Sequence, residues 1–284
     1  MTCQSMISNS LTICLTRYNE PNWLVWQTLE SLSNQRYVRA DVLFLDQTHD
    51  KEIEERLENL NNENIRFKRI RIPEKSLSFA RNYAIKNSSN NYLLFIDSDA
   101  IAEENWAFQL SNSLSSNDVA IVGGKVLPMW HKRPLAITSA KIVLEQYSIF
   151  DIGETELKIL KVVGANFGLN KKLLCNQAYF DEKLGRQKGI LLGGEETDLC
   201  DRASSLGLSI RYNGKAIIHH QILPERISYK WIFRRIYYGG LGRALKKGLP
   251  KPTHKMGIWD FVIIPIILPW YAAGYLHGRI LGRY

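Results

Sequence analysis

The chain has 284 residues, 45% of them hydrophobic and 23% charged, enough apolar material for a sizeable core and enough to exclude a mainly disordered state. A formal net charge of +9 favours an anionic partner: nucleic acid, nucleotide phosphate or an acidic lipid surface. Cys3, Cys14, Cys175 and Cys200 share no metal-ligand spacing, and Cys14 falls in an apolar run, so reduced thiols in a cytosolic compartment are expected.

Residues 1–10 are polar and lack the basic and apolar regions of a secretory leader, so no export of the body is expected. From residue 11 to about 124, short apolar runs alternate with helix-like segments, the pattern of a mainly parallel sheet covered by helices. Strands are expected at 11–16, 42–46, 65–70, 92–96 and 119–122. Helices are expected at 23–32, 51–60, 77–86 and 103–114, with Pro21 ahead of the first and Asp50 capping the second. The second half reads as a helix over 135–149, a glycine-punctuated stretch at 163–169 and a helix over 195–206 ended by Gly207. Strands at 209–212 and 216–219 follow, then a basic, aromatic segment at 228–247. The apolar stretch at 258–276 contains Asp260, Pro265 and Pro269.

Open parallel sheets bind ligands beyond the carboxyl ends of their strands. Here the first strand ends in Thr16-Arg17-Tyr18-Asn19-Glu20, the second in Asp46 and the fourth in Asp97-Ser98-Asp99. Side chains two apart on extended backbone point to one side, so Asp97 and Asp99 converge and repel unless a cation joins them. A hard divalent ion, Mn²⁺ or Mg²⁺, takes such oxygen ligands together with substrate phosphate. Gly193-Gly194-Glu195-Glu196-Thr197-Asp198 sets several acids at a helix start. The helix dipole favours each by roughly 0.3 to 1 kcal/mol, which accounts for one or two and leaves a carboxylate for general-base work. Either of His219 and His220 could complete an ion's ligand set, and Arg226, Arg234 and Arg235 offer guanidinium forks to diphosphate or to lipid phosphate.

Taken in order, these residues resemble the family 2 glycosyltransferases, inverting enzymes of the GT-A fold, from residue 11 to about 243. Leu11-Thr-Ile-Cys-Leu-Thr-Arg-Tyr-Asn19-Glu20 looks like that family's first strand and nucleotide loop, Asp46 its second-strand acid and Ser78-Phe-Ala-Arg81-Asn82 its donor-side helix. Asp97-Ser98-Asp99 looks like its D-x-D motif, Gly164-Ala165-Asn166-Phe167 its pre-acceptor strand and Glu195-Glu196 its acidic pair.

The resemblance implies an α/β catalytic domain over residues 1–225, with a nucleotide-binding half at 11–124 and an acceptor half at 125–225. Thr16, Tyr18, Asn19, Glu20, Asp46, Asp97 and Ser98 would hold the donor and Arg81 its phosphates. Asp99, Asp97 and His220 would hold the metal, with Asn166 and Arg226 on the acceptor and phosphate side. Glu196 would be the base; it stands where aspartate is commoner, which leaves Glu195 and Asp198 open for that role. The Gln-x-x-Arg-Trp motif of processive synthases is absent, so single-sugar transfer is expected, from a nucleotide-sugar donor to a hydroxyl acceptor such as a lipid-linked glycan.

Residues 226–284 read as a membrane-associating segment. The stretch 258–276 approaches the roughly 20 residues that span a bilayer, but Pro265 and Pro269 are expected to interrupt its helix, and Trp259, Trp270 and Tyr271 are interfacial residues. A segment lying in or dipping into the cytoplasmic leaflet is expected, with Arg234, Arg235, Arg243, Lys246 and Lys247 on anionic head groups. Two rivals explain less. A haloacid-dehalogenase-type phosphohydrolase shares the strand and Asp97-x-Asp99, but there the motif opens the fold, and Ile101 replaces the expected Thr or Val. A non-catalytic lipid or nucleic-acid binder leaves the acidic clusters unexplained, and no nucleic-acid partner is expected.

Overall fold

Seven consecutive buried residues make Leu11–Arg17 (β1) the centre of a sheet covered on both faces. Leu11, Ile13 and Leu15 face one core with Leu94 and Ile96, while Cys14 faces the other with Leu45, Leu93 and Phe95, the alternation that extended backbone imposes. The computed structural model describes residues 10–48, 50, 52–187, 189–246 and 256–281; Cys3, Lys51 and Lys247 lie outside them.

Strands β2 (Ala40–Asp46), β3 (Ile65–Arg71) and β4 (Tyr92–Asp97) join β1 in the parallel order β3-β2-β1-β4. Helices α1 (Asn22–Ser33), α2 (Glu52–Leu57) and α3 (Leu77–Asn87) make the crossovers. The register sets Thr16 beside Asp97 and Arg17 beside Asp46, so the polar strand ends share one edge.

Beyond β4 the sheet becomes mixed. The chain continues through β5 (Ala100–Ala102), α4 (Trp106–Leu114), β6 (Val119–Trp130), α5 (Lys141–Leu144), β7 (Leu157–Lys158), β8 (Asn166–Asn170), α6 (Lys171–Leu174), α7 (Glu195–Ser205) and β9 (Ser209–Ile222). Strand β8 lies antiparallel between β4 and β6, β9 runs parallel to β6, and β5 and β7 pair antiparallel with β9. The two strands expected at 209–212 and 216–219 are one, irregular where β6 shifts register at Gly124 and Lys125. A Cβ on Gly214 would lie 2.2 Å from the Gly153 carbonyl, so the backbones approach closely at this glycine. The helix expected over 135–149 is instead a chain of short turns around α5, closed by Ser148 in the left-handed region.

Two long helices follow β9: α8 (Tyr229–Leu245) and α9 (Ile258–Leu281). The prolines do not interrupt α9, contrary to expectation. Pro265 and Pro269 sit four apart on its exposed side, where the ladder bonds they remove face away from α8. Asp260 is buried in the first turn of α9, where its carboxylate accepts from the amides of Gly257 at 2.7 Å and Ile142 at 2.9 Å. Those bonds cap α9 and tie it to α5, which is how an acid is tolerated in an apolar helix. The two helices pack through glycine: a Cβ on Gly240 would lie 2.1 Å from the Tyr271 carbonyl, and one on Gly274 would lie 1.9 Å from that of Tyr237. Phe233 and Trp270 stack across the same seam with ring centroids 5.3 Å apart. The opposite side of α9 exposes Ile258, Trp259, Phe261, Val262, Ile266 and Leu276, and the helix is long and apolar enough to cross a membrane.

Candidate active site

The polar ends of β1 and β4 open into a cleft with two lobes, and Asp97 lines both. The first lobe, about 240 Å³, is bounded by Thr16, Tyr18, Asn19, Glu20, Ser98 and Asp99. Its acidic corner is set by β5, whose pairing with β9 places Ala100 opposite His220 and so turns the preceding Asp99 onto that imidazole. Nε2 of His220 lies 3.1 Å from Oδ1 of Asp99, and Nη1 of Arg226 lies 2.8 Å from Oδ2. Burial would raise the pKa of Asp99, but the facing charges of His220 and Arg226 outweigh it and hold the carboxyl well below its ordinary range.

The residues at this corner fit a divalent cation. One ligating atom from each of Asp97, Asp99 and His220 lies within 4.8 Å of the others. Nδ1 of His220 donates to the Tyr147 carbonyl at 2.7 Å, which orients the ring and turns Nε2 toward Asp99. Two carboxylates and one imidazole suit Mn²⁺ or Mg²⁺ with substrate oxygens in the remaining positions. His219 points elsewhere, toward Glu103 at 3.3 Å.

The second lobe holds the acidic pair. Gly194 has φ +109°, a conformation open to glycine, and it starts α7 so that Glu195 and Glu196 enter the lobe on the first turn. Gly164 gives them room: a Cβ there would lie 1.8 Å from Oε1 of Glu196. Arg81 of α3, 2% exposed, joins the two lobes. Its Nη1 donates to Glu196 at 2.6 Å and to Glu195 at 3.3 Å, and its Nη2 reaches Asp97 at 3.4 Å and the Gly164 carbonyl at 2.9 Å. Burial and the charge of Glu196 push the Glu195 carboxyl up to about 8. For Glu196, burial acts upward but Arg81 prevails and lowers the pKa. The two adjacent carboxyls are thereby pushed in opposite directions, Glu195 toward its protonated form and Glu196 toward its ionised one.

Several residues expected at the site do other work. Asp46 is fully buried: its carboxylate binds Arg69 at 2.6 Å, accepts from the Thr48 amide at 2.8 Å and lies 3.7 Å from Arg17, so it braces the strand ends and does not line the lobe. Asn166 accepts from the Trp106 indole and donates to the carbonyls of Lys125 and Ala216, holding strands together inside the sheet away from the acceptor lobe. Asp198 points outward, in a 3.0 Å pair with Arg202. Arg81, expected at phosphates, is a buried brace of carboxylates. Glu20 accepts from the amides of Tyr18 and Asn19 and shapes the loop that lines the first lobe.

Sequence reasoning missed Lys75, which lines the first lobe, and Arg186, which lines both. Arg186 comes from an irregular loop without periodic signal. Asn82 holds that loop by bonding both the amide and the carbonyl of Phe180, and Ser78 holds it at the Leu184 carbonyl.

Comparison with known proteins agrees with this geometry. The model of the family described as Glycosyl transferase family 2 matches residues 12–174, more than half of the chain. A glucosyl-dolichyl phosphate glucuronosyltransferase of Haloferax volcanii is 20% identical over 222 residues, 77% of this chain and 71% of that one. A pre-mycofactocin glycosyltransferase of Mycobacterium tuberculosis is 24% identical over 195 residues, 68% of this chain but 40% of that one. In three dimensions the chain superimposes on a mannosyltransferase of Pyrobaculum calidifontis solved with GDP-Man and Mn²⁺, with a TM-score of 0.61, 15% identity and coverage of 93% and 73%. It also matches GalNAc-T7 solved with UDP, GalNAc and Mn²⁺, with a TM-score of 0.60, 12% identity and coverage of 94% and 54%. The fold is GT-A, and the chain belongs to glycosyl transferase family 2 and is a glycosyltransferase.

Proposed function

We propose that the chain transfers one sugar, with inversion, from a nucleotide-diphosphate donor, a UDP-sugar, to a hydroxyl of a lipid-linked acceptor at the cytoplasmic face of a membrane. The observation that carries this reading is the sharing of Asp97 and Arg186 by two lobes of different chemistry, one with a cation-binding corner and the other with an ionised carboxylate.

In this reading the first lobe holds the donor. Thr16, Tyr18, Asn19 and Glu20 shape the nucleotide side, and Lys75, Arg186 and Arg226 face the diphosphate. Asp97, Asp99 and His220 would hold the divalent cation, Mn²⁺ or Mg²⁺; bound there it supplies charge neutralisation for the departing diphosphate. Arg81 keeps Glu196 ionised and oriented. Glu196 accepts the proton of the acceptor hydroxyl as that oxygen attacks the anomeric carbon. The bond from that carbon to the diphosphate oxygen breaks, and its electron pair leaves with the nucleotide. Attack from the face opposite the diphosphate inverts the anomeric configuration.

Thermal denaturation with UDP, GDP and dTDP, with and without Mn²⁺, tests the donor assignment. A selectively bound ligand at 100 times its Kd raises stability by about 2.7 kcal/mol. Stabilisation by a nucleoside diphosphate that requires Mn²⁺ supports the assignment, and equal melting in every condition refutes it.

A further inference from the structure

A third cavity, of about 490 Å³, lies between α8 and α9 and opens into the Glu196 lobe. Its walls divide by chemistry. Ile236, Ile264, Ile267, Leu268 and Tyr271 form an apolar trough, while Lys161, Arg235, Arg243 and Lys246 gather at the end where trough and lobe meet. Acids stand near them as well: Glu145 lines the groove, Glu196 faces Arg235 from the adjoining lobe, and Asp201 lies 3.2 Å from Nζ of Lys246, so the four cations exceed the ionised acids around the junction only narrowly. Burial lowers the pKa of Lys161, and Arg243 and Lys246 add to that effect; burial and the charge of Arg186 bring Arg235 to about 10. The Nε atoms of Arg235 and Arg243 are buried without a hydrogen-bond partner among the described residues. Like charges held this close are favoured when an anion joins them.

The trough also meets the outer surface of α9. Leu268 lines it and is itself exposed, in line with exposed Phe261, Val262 and Ile266. An alkyl chain leaving an apolar phase along α9 therefore reaches the trough without crossing water. Volume and lining match a site for an apolar ligand oriented by a few charged groups. The nucleotide does not suit it, because the cation corner and the polar loop of β1 line the other lobe.

We propose that the groove between α8 and α9 holds the alkyl chain of a lipid-phosphate acceptor, with its phosphate or diphosphate on Lys161, Arg235, Arg243 and Lys246 and the sugar hydroxyl beyond it at Glu196. The assignment rests on the transferase reading above and adds to it the acceptor's subsite and chemical class. Gly239 provides a clean probe, because it lines the groove and a Cβ there meets nothing within 4 Å.

Titration calorimetry of the full chain in nonionic detergent, with metal chelated, compares farnesyl diphosphate, inorganic pyrophosphate and farnesol. Farnesyl diphosphate is expected to bind at least about tenfold more tightly than either fragment, and Gly239→Leu and Arg243→Gln each to weaken it by about tenfold or more. Gly239→Leu should leave pyrophosphate affinity unchanged, because it fills the trough and not the cationic end. Equal affinity for the three probes, or undiminished farnesyl diphosphate binding in both variants, overturns the proposal. So does binding only to anionic vesicles, which would make this face a membrane dock. Mn²⁺-dependent UDP binding by the same samples separates the two readings. Its absence beside intact probe binding removes the acceptor role and leaves a lipid-phosphate site, whereas its presence beside failed probe binding removes the groove assignment alone.

Discussion

His220 and Asp99 face each other across 3.1 Å because β5 aligns Ala100 with His220, while the Tyr147 carbonyl takes the proton-bearing side of the imidazole. A ligand atom aimed by the opposite ring nitrogen is a recurring feature of metal sites, and its loss is felt mainly in affinity. His220→Gln should therefore weaken Mn²⁺ binding at least about tenfold, with transfer lost at low Mn²⁺ and partly restored at high Mn²⁺. Calorimetric titration with Mn²⁺ in the presence of UDP checks this. Wild-type affinity in the variant would remove His220 from the ligand set.

The 2.6 Å bond from Arg81 to Glu196 makes a separate prediction for the acceptor lobe. Glu196→Gln keeps the size and the hydrogen bond but cannot take a proton, so transfer should fall by about 10² to 10⁴ while nucleotide affinity is retained. Turnover near that of the wild type would return the base to Glu195. Arg81→Met should be harsher on folding than on binding, because removing one partner leaves Glu196 as a buried charge without compensation, at a cost of about 3 to 5 kcal/mol. Denaturant titration of the two variants separates these effects.

The sequence made the outline of this site legible because each clue was local. Continuous apolar runs closed by polar residues marked β1 and β4, and the two-residue spacing marked Asp97 and Asp99. What stayed hidden depends on contacts between distant segments. Arg81 reaches carboxylates 114 and 115 positions away. Strand β5 has three residues, too few for a periodic signal, although it determines where His220 points. An acid ending a strand looks the same in sequence whether it meets a ligand or an arginine; Asp46 meets Arg69. In α9, the expected break at Pro265 and Pro269 gave way to packing, since the face that meets α8 carries Gly274 and Gly278 and the prolines lie on the other side.

Glu195 links stability to pH. Its carboxyl is raised from 4.5 to about 8 on folding, so between those values the folded chain holds a proton that the unfolded chain has lost. Where the native state binds more protons, stability falls as pH rises. The contribution is therefore complete below about pH 4.5 and lost by the time pH passes about 8. Glu195→Gln removes this dependence, so its melting temperature relative to wild type should climb steadily from pH 5 to pH 9, by several degrees. Parallel profiles for the two proteins would mean that Glu195 is ionised throughout.

The contact between Gly274 and the Tyr237 carbonyl distinguishes a helix seated on α8 from one that only tethers the chain. A Cβ at position 274 would overlap that carbonyl at 1.9 Å and crowd the Leu241 amide at 3.2 Å, so a larger side chain must push the helices apart. Overpacking of a close seam costs about 1 to 3 kcal/mol, and here it would also pull Asp260 from the Ile142 amide and open the groove to solvent. Gly274→Leu should lower the melting temperature and hasten proteolysis after α8, while Gly239→Leu, placed over open space on the same pair of helices, should do neither. Both substitutions add the same apolar side chain, so a difference between them isolates the seam from any general gain in membrane affinity. Identical melting and proteolysis of the two variants would mean that α9 leaves α8 in solution, and the packing of the two helices would have to be redrawn.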